Sequence, residues 1–329
     1  MTLLDTQHVV VHKRRVWAGG VTVGGGGGSD ASGMRALLEE VRDRQFGVFT
    51  AGQALVEYSR AELRARVRRG EWVRVFHGVY REAVTATTPE LRVEAARLSM
   101  GLPVVAATYH TAAELHGFSV VDTTATHVSG VQRSRTKGLV VHQDRISSTD
   151  LQCINGAMTT TAARTAVDLA RTLDPMDALA TLDAALRLGL PRMALDEEAA
   201  RHHGRRGCRQ ALALIELSDH RAESPMESRT RLRCLDAGLP PAEPQLDITT
   251  PEGRRRLDLG WRRWRIGLEY DSAAWHSGPH AATRDTARHN TLTELGWRIF
   301  YATAPDVLHH PHHFTDPIRS AMQNTTQRA

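Results

Sequence analysis

The stretch Arg256–Trp275, RLDLGWRRWRIGLEYDSAAW, is followed directly by His276 and holds three carboxylates, Asp258, Glu269 and Asp271, among arginines and tryptophans. In Ile266-Gly267-Leu268-Glu269-Tyr270-Asp271 the apolar residues alternate with Gly, Glu and Asp, the period-two signature of a strand with one buried face. Glu269 and Asp271 therefore share its other face. Asp258 lies on the preceding alternating run, and a two-residue turn at Arg262-Arg263 places it opposite Gly267 and diagonal to Glu269. At that register all three carboxylates face one way, with Cβ separations of roughly 7 to 8 Å between diagonal neighbours. Such a face repels itself unless something positive fills it.

Outward from this stretch, Ser224-Pro225-Met226-Glu227 opens a helix as a capping box with proline at its first position. That cap is a structural use for Glu227, which stays open between cap and site member. The helix ends at Gly238. Strands are expected at about 245–249, 254–260 and 265–271, then a helix over about 281–295 stopped by Gly296, and a strand at 297–302. The order is α-β-β-β-α-β. Beyond it, His309-His310-Pro311-His312-His313 reads as terminal loop, because the proline prevents helical ligand geometry.

At the other end, residues 34–81 read helix, helix, helix, hairpin. Thr50 caps the second helix and Ser59 the third. On the third, Leu63 and Val67 point inward while Arg60, Arg64 and Arg68 line another face at i, i+4, i+8. Gly70 ends it, and Trp72–Phe76 and Val79–Arg81 flank a His77-Gly78 turn. A helix-turn-helix followed by such a ribbon is a winged helix, with its third helix suited to a major groove. Arg69 and Arg74 extend this candidate DNA-binding set.

The 329 residues suffice for two or three domains, and 41% hydrophobic content fits a chain that buries cores. The formal charge is +5, and among the basic residues lysine occurs only at Lys13 and Lys137. Arginine engages phosphate oxygens in pairs, and a pI near 9.5 favours nucleic acid as partner. Cys153, Cys208 and Cys234 form no C-x-x-C pair, which points to a reducing compartment and away from a cysteine zinc site. No apolar run reaches the ~18 residues a membrane helix needs, and no secretory signal is legible, so the cytoplasm is expected. The glycine run Gly24–Gly28 lacks the Lys-Ser/Thr pair of a phosphate loop, and no G-x-S-x-G element supports a serine hydrolase. Residues 1–33 are expected as a disordered tail, with translation beginning at Met1 or at Met34, where the first amphipathic pattern starts. In His110, Glu114 and His116 the spacing is not that of a zinc-binding helix, and a structural role is expected.

The amino-terminal segment resembles the winged-helix domain of AbiEi-type antitoxins. The carriers are Gly47-Val48-Phe49-Thr50, the helix from Leu63 to Gly70 with its Arg68-Arg69-Gly70 end, and Val73-Arg74-Val75-Phe76-His77-Gly78-Val79-Tyr80. That resemblance implies DNA binding and autoregulation and leaves any toxin partner unnamed. The carboxyl-terminal segment resembles the very-short-patch-repair (Vsr-like) branch of the PD-(D/E)xK nuclease core. Its carriers are Ser224-Pro225-Met226-Glu227, Gly238-Leu239-Pro240 with Gln245, Arg256-Leu257-Asp258-Leu259, Glu269-Tyr270-Asp271, Trp275-His276, Arg284-Asp285, Leu295-Gly296-Trp297-Arg298-Ile299 and Asp306-Val307. The resemblance implies Asp258 as principal metal ligand beside Glu269 and Asp271, His276 as the base that activates water, and Asp285 as the carboxylate that orients it. Clustered carboxylates suit Mg²⁺, or Mn²⁺. Arg256, Arg262 and Arg263 are candidate phosphate contacts. Two departures stand out: Asp271 replaces the lysine that closes the motif, and Ser272 replaces a glycine common in this branch.

The expected fold is an α+β multidomain chain: tail 1–33, winged helix 34–85, a mixed, mainly helical connector 86–222, a restriction-endonuclease-like αβββαβ domain 223–320, and tail 321–329. The expected function is a DNA-binding protein with a metal-dependent endonuclease domain, in phage defence or DNA repair, with no small-molecule cofactor and no membrane partner. The competing expectation is an AbiEi-like antitoxin and transcriptional regulator whose nuclease fold is kept for binding only. A protein-interaction scaffold that touches no nucleic acid is the third.

Overall fold

Gly-Val-Phe-Thr at residues 47–50 is where the amino-terminal architecture is set. In a computed structural model of the chain, which describes residues 34–131, 133–251, 253–271 and 291–328, Val48 and Phe49 are fully buried. They lie on a strand too short to announce itself by alternation. The elements run α1 (Ala36–Arg44), β1 (Val48–Thr50), α2 (Ala51–Ala54), α3 (Arg60–Arg68), β2 (Trp72–Phe76) and β3 (Val79–Glu82). The β1 strand adds to the expected hairpin, giving a three-stranded sheet of order β1-β3-β2. Both expected caps form as capping boxes, Thr50 with Gln53 and Ser59 with Glu62. Trp72 fixes the assembly by edge-to-face contacts with Phe49 at 4.8 Å and Tyr58 at 5.1 Å.

The chain continues through α4 (Pro89–Met100), α5 (Tyr109–His116), β4 (Thr126–Ser129) and β5 (Leu139–His142), the last two parallel. An antiparallel hairpin, β6 (Leu151–Ile154) and β7 (Ala157–Thr160), follows. This hairpin adds to the expected elements, and Asn155-Gly156, both at positive φ, carries its signal. Then come α6 (Ala162–Thr172), α7 (Pro175–Arg187), α8 (Arg192–Arg201) and α9 (Cys208–Leu217). Val48, Phe76 and Val79 of the winged helix share one apolar cluster with Leu91, Ala95, Val105, Val128 and Leu139. A second cluster joins Phe118, Val167, Leu169, Leu179, Leu182, Leu195 and Ile215 to Leu232 of the next helix.

Beneath α6 lies a buried ionic network. Arg164, 1% exposed, donates from Nε to Asp168 Oδ2 at 2.6 Å and from Nη1 to Asp150 Oδ2 at 3.2 Å. Arg201 bridges Asp150 at 2.5 Å and Glu198 at 2.6 Å, and Arg171 meets Asp168 at 2.8 Å. Three guanidinium groups thus face three carboxylates, with Arg201 half exposed at the edge of the network. Burial still pushes the Asp168 carboxyl up, against the pull of Arg164.

The last part comprises α10 (Pro225–Asp236), β8 (Glu243–Thr250), β9 (Gly253–Trp261), β10 (Ile266–Tyr270), helical residues 291–294, β11 (Arg298–Ala302), α11 (Ala304–His309) and α12 (His312–Arg328). The sheet order is β11-β10-β9-β8, with β11 parallel to β10 and the other pairs antiparallel. One face packs Leu259, Trp261, Ile266 and Leu268 against Cys234, Val307, Phe314 and Ile318. The other packs Leu246, Ile248 and Leu257 against Leu292, with Trp297 and Ile299 beside them. Two expectations are corrected here. Residues 321–328, expected as a tail, continue α12, and Ala321 and Met322 are buried against the sheet. The histidine run is a junction of two helices rather than a loop: α11 ends at His309, α12 starts at His312, and His313 Nδ1 lies 2.9 Å from Asp306 Oδ1.

Candidate nucleic-acid interface and the carboxyl-terminal acidic site

Ser59 and Leu63 orient α3: the cap sets its start, and burial of Leu63 turns Arg60, Arg64 and Arg68 to solvent. Among the described residues none of these three arginines has an acidic partner. Their neighbour Arg66 is different. It donates to Glu71 at 2.9 Å and lies over the rings of Tyr58 and Trp72 at 5.1 and 5.3 Å, a cation–π clamp that ties α3 to β2. Arg69 donates to Glu71 at 2.5 Å, and that hydrogen bond holds the Glu71 carboxyl below its usual range. Arg74 reaches the Phe76 carbonyl at 3.3 Å and His77 Nδ1 at 3.1 Å. Of the five expected DNA contacts here, three are presented without an acid and two carry local partners.

The acidic site differs from its expected geometry in register and in strand parity. Arg262–Trp264 form a 3₁₀ turn closed by Arg265 at φ +51°, not a two-residue turn. Gly267 therefore pairs with Gly260, and Asp258 stands two positions from the place expected for it. The alternation also breaks at Asp258: Leu257 belongs to one face of the sheet and Leu259 to the other. A Cβ built on Gly267 would lie 2.4 Å from Leu257 Cδ1, which confirms the side on which Leu257 sits. Opposite the break, Gln245 has φ +52°. Asp258 Oδ2 accepts from the Tyr270 amide at 2.8 Å, and Asp258 lines a shallow cleft with Arg254, Arg255 and Arg256.

Glu227 is only half a cap. Ser224 Oγ accepts from its amide at 3.2 Å, but its carboxylate accepts from the Glu223 amide at 2.9 Å and from Gln245 Nε2 at 2.6 Å. It therefore ties α10 to the strand that faces Asp258. The expected phosphate contacts are engaged otherwise: Arg256 with Glu223 at 2.7 Å, Arg262 with Glu243 at 2.9 Å, and Arg263 over the Trp264 ring at 5.1 Å. Arg254 pairs with Asp247. His276 and Asp285 lie outside the described residues. Among the described residues no three His, Cys, Asp or Glu side chains form a group that could hold a metal ion. A fit to Mg²⁺ thus rests on Asp258 with Glu269 and Asp271, not on a formed ligand set.

The histidines of α5 fall to structure, as expected. Glu114 pairs with Arg92, and His116 Nε2 meets the Thr160 carbonyl at 2.8 Å. His110 packs edge-on against His127, whose Nδ1 is 2.9 Å from His142 Nε2, so one ring donates and the other accepts. Burial, then the neighbouring His110 and His142, push His127 down to about 4. An unfolded histidine titrates near 6.5, so between about pH 4 and 6.5 the unfolded chain binds the extra proton. Stability should rise with pH across that window and level off above it. His127→Gln is expected to make this slope shallower, as read by urea midpoints at several pH values, and an unchanged slope would place the titration elsewhere.

One basic group has no counterpart in the sequence reading. Arg133, Arg135 and Lys137, in the loop between β4 and β5, are exposed, and Arg135, Thr136 and Lys137 line a groove with Arg74, Val75, Phe76 and His77. The legible signal was the alternation Arg-Ser-Arg-Thr-Lys.

Two regions of the chain match family descriptions. Residues 35–83 match "Transcriptional regulator, AbiEi antitoxin", and residues 105–220, the region expected as a connector, match "AbiEi antitoxin C-terminal domain". The chain belongs to the AbiEi antitoxin family. It is 41% identical over 259 residues to Rv2248 of Mycobacterium tuberculosis strain H37Rv, described as an uncharacterized protein, covering 77% of this chain and 93% of that one. MT2308 of strain CDC 1551 matches to the same extent. The solved structure of the RV2827C protein from the same species is similar over 66% of this chain and 88% of its own, with a TM-score of 0.42 and 13% identity. Among the described residues no helix is long and apolar enough to cross a membrane.

Proposed function

We propose that the chain is a DNA-binding transcriptional regulator of the antitoxin type, which contacts duplex DNA through the exposed face of α3. The observation that carries this reading is the set Arg60, Arg64 and Arg68, displayed without acidic partners among the described residues on the third helix of a helix-turn-helix followed by a wing. The family supports it, and a toxin is the partner class it brings. The place of action is the cytoplasm, which the three free cysteines suit. Fluorescence titration of the full chain against duplexes from its own upstream region, over a range of salt, tests it. Log affinity should fall by ~0.9 per phosphate contact per log unit of salt. A flat titration at low salt would overturn the reading in favour of a scaffold that touches no nucleic acid.

A second reading, a metal-dependent endonuclease, is favoured by one observation: the helix, three antiparallel strands and parallel fourth strand that surround Asp258. On this reading Asp258, Glu269 and Asp271 hold Mg²⁺ or Mn²⁺, with Glu227 beside them, and His276 and Asp285 act on water. The metal would polarise a phosphodiester and stabilise the leaving oxygen. Asp258→Ala should then abolish Mg²⁺-dependent nicking of plasmid, mismatched or single-stranded DNA by about 10²-fold or more. Survival of all three substrates with the wild-type chain at several metal concentrations would leave the regulator reading alone.

A further inference from the structure

The loop Arg133-Ser134-Arg135-Thr136-Lys137 belongs to the second AbiEi domain, yet it borders the wing of the first. Arg133, Arg135 and Lys137 are exposed while Ser134 and Thr136 are half-buried. Hydrogen bonds hold the carboxyl-terminal half of the loop. The Thr136 amide donates to Ser134 Oγ at 3.0 Å, the Leu139 amide to the Thr136 carbonyl at 3.1 Å, and the Thr126 amide to the Gly138 carbonyl at 2.8 Å. Gly138, at φ +78°, supplies the left-handed residue that turns the chain into β5. Arg135 and Lys137 share with Arg74 and His77 of the wing a groove of about 490 Å³ that no carboxylate lines among the described residues.

Among the described residues Arg133, Arg135 and Lys137 have no acidic partner, whereas Arg254, Arg256 and Arg262 of the carboxyl-terminal sheet each have one. Three exposed cations in one short loop, without acidic partners among the described residues, are complementary to a polyanion. Resting on the DNA-binding reading above, we infer that this loop is a second phosphate contact, which carries the footprint past the wing onto flanking duplex. Phosphate contacts of this kind position a protein without reading sequence, so the loop adds affinity and register but no base preference.

The test uses the full chain, its Arg133→Ala/Arg135→Ala/Lys137→Ala variant, and mixed-sequence duplexes of about 15 and about 35 base pairs. On the longer duplex the variant should show a salt slope shallower by about 2 to 3 than wild type, from ~0.9 per lost contact. That corresponds to at least about tenfold weaker binding at low salt. On the shorter duplex it should match wild type, while Arg64→Ala/Arg68→Ala should weaken both. An unchanged slope on the longer duplex, with the α3 variant still weakened, would overturn the loop contact and leave the DNA-binding reading standing. Equal loss on both lengths would overturn the extended footprint. If wild type binds neither duplex, both readings fall. Matching thermal midpoints for the loop variant and wild type establish that exposed side chains alone were removed.

Discussion

Replacing Arg64 and Arg68 together by alanine is expected to weaken duplex binding at least about 30-fold and to flatten the salt dependence by about 1.8. The first figure follows from two charge-assisted contacts of about 1–3 kcal/mol each, taken at the low end. The second follows from ~0.9 per phosphate contact. Both side chains are exposed and neither has an acidic partner among the described residues, so the melting temperature should hardly move. Arg66→Ala on the same helix is the internal contrast. Its guanidinium is committed to Glu71, Tyr58 and Trp72, so its loss should cost about 1 kcal/mol of stability. Equal binding losses from the two kinds of variant would mean that α3 acts through its packing and not through its arginine face.

Arg164→Met should destabilise the chain by about 3–5 kcal/mol, because it leaves buried carboxylates facing one another. Asp150 and Asp168 would keep Arg201 and Arg171, but both acids are about 3% exposed and water cannot replace the missing charge. Against a total stability of 5–15 kcal/mol typical of folded domains, that loss should appear as a lowered urea midpoint with an unchanged m-value. A loss under about 1 kcal/mol would show that the network relaxes, for example by protonation of Asp168, whose carboxyl burial already pushes up. DNA binding by the surviving folded fraction should be unaltered, since the network lies under α6 and not on α3.

The chain's structure is most legible in its sequence where the physics is local. Thr50, Ser59 and Ser224 cap the helices assigned to them, because a cap is a contact within a few residues. The strands at residues 243–250, 253–261, 266–270 and 298–302 fall within two residues of expectation, since alternation and Gly or Pro stops mark their ends. The exposed arginine row of α3 follows from helical period alone. The Asn155-Gly156 hairpin and the basic loop at 133–137 were equally local, and legible.

What the sequence by itself determined, then, is the order of elements, the capped helices and the arginine face of α3. The tertiary structure decided whatever depends on partners far along the chain. It set Gly260, not Asp258, opposite Gly267, because Arg265 adopts a left-handed conformation that lengthens the turn. It bound Arg256 to Glu223 and Arg262 to Glu243 across 33 and 19 residues, withdrawing them from the set of unpaired cations. It also joined Glu227 to Gln245 and placed Lys137 beside the wing. Periodicity reports which face a residue occupies, but charge pairing and register are settled by which faces meet, and only the folded chain brings those faces together.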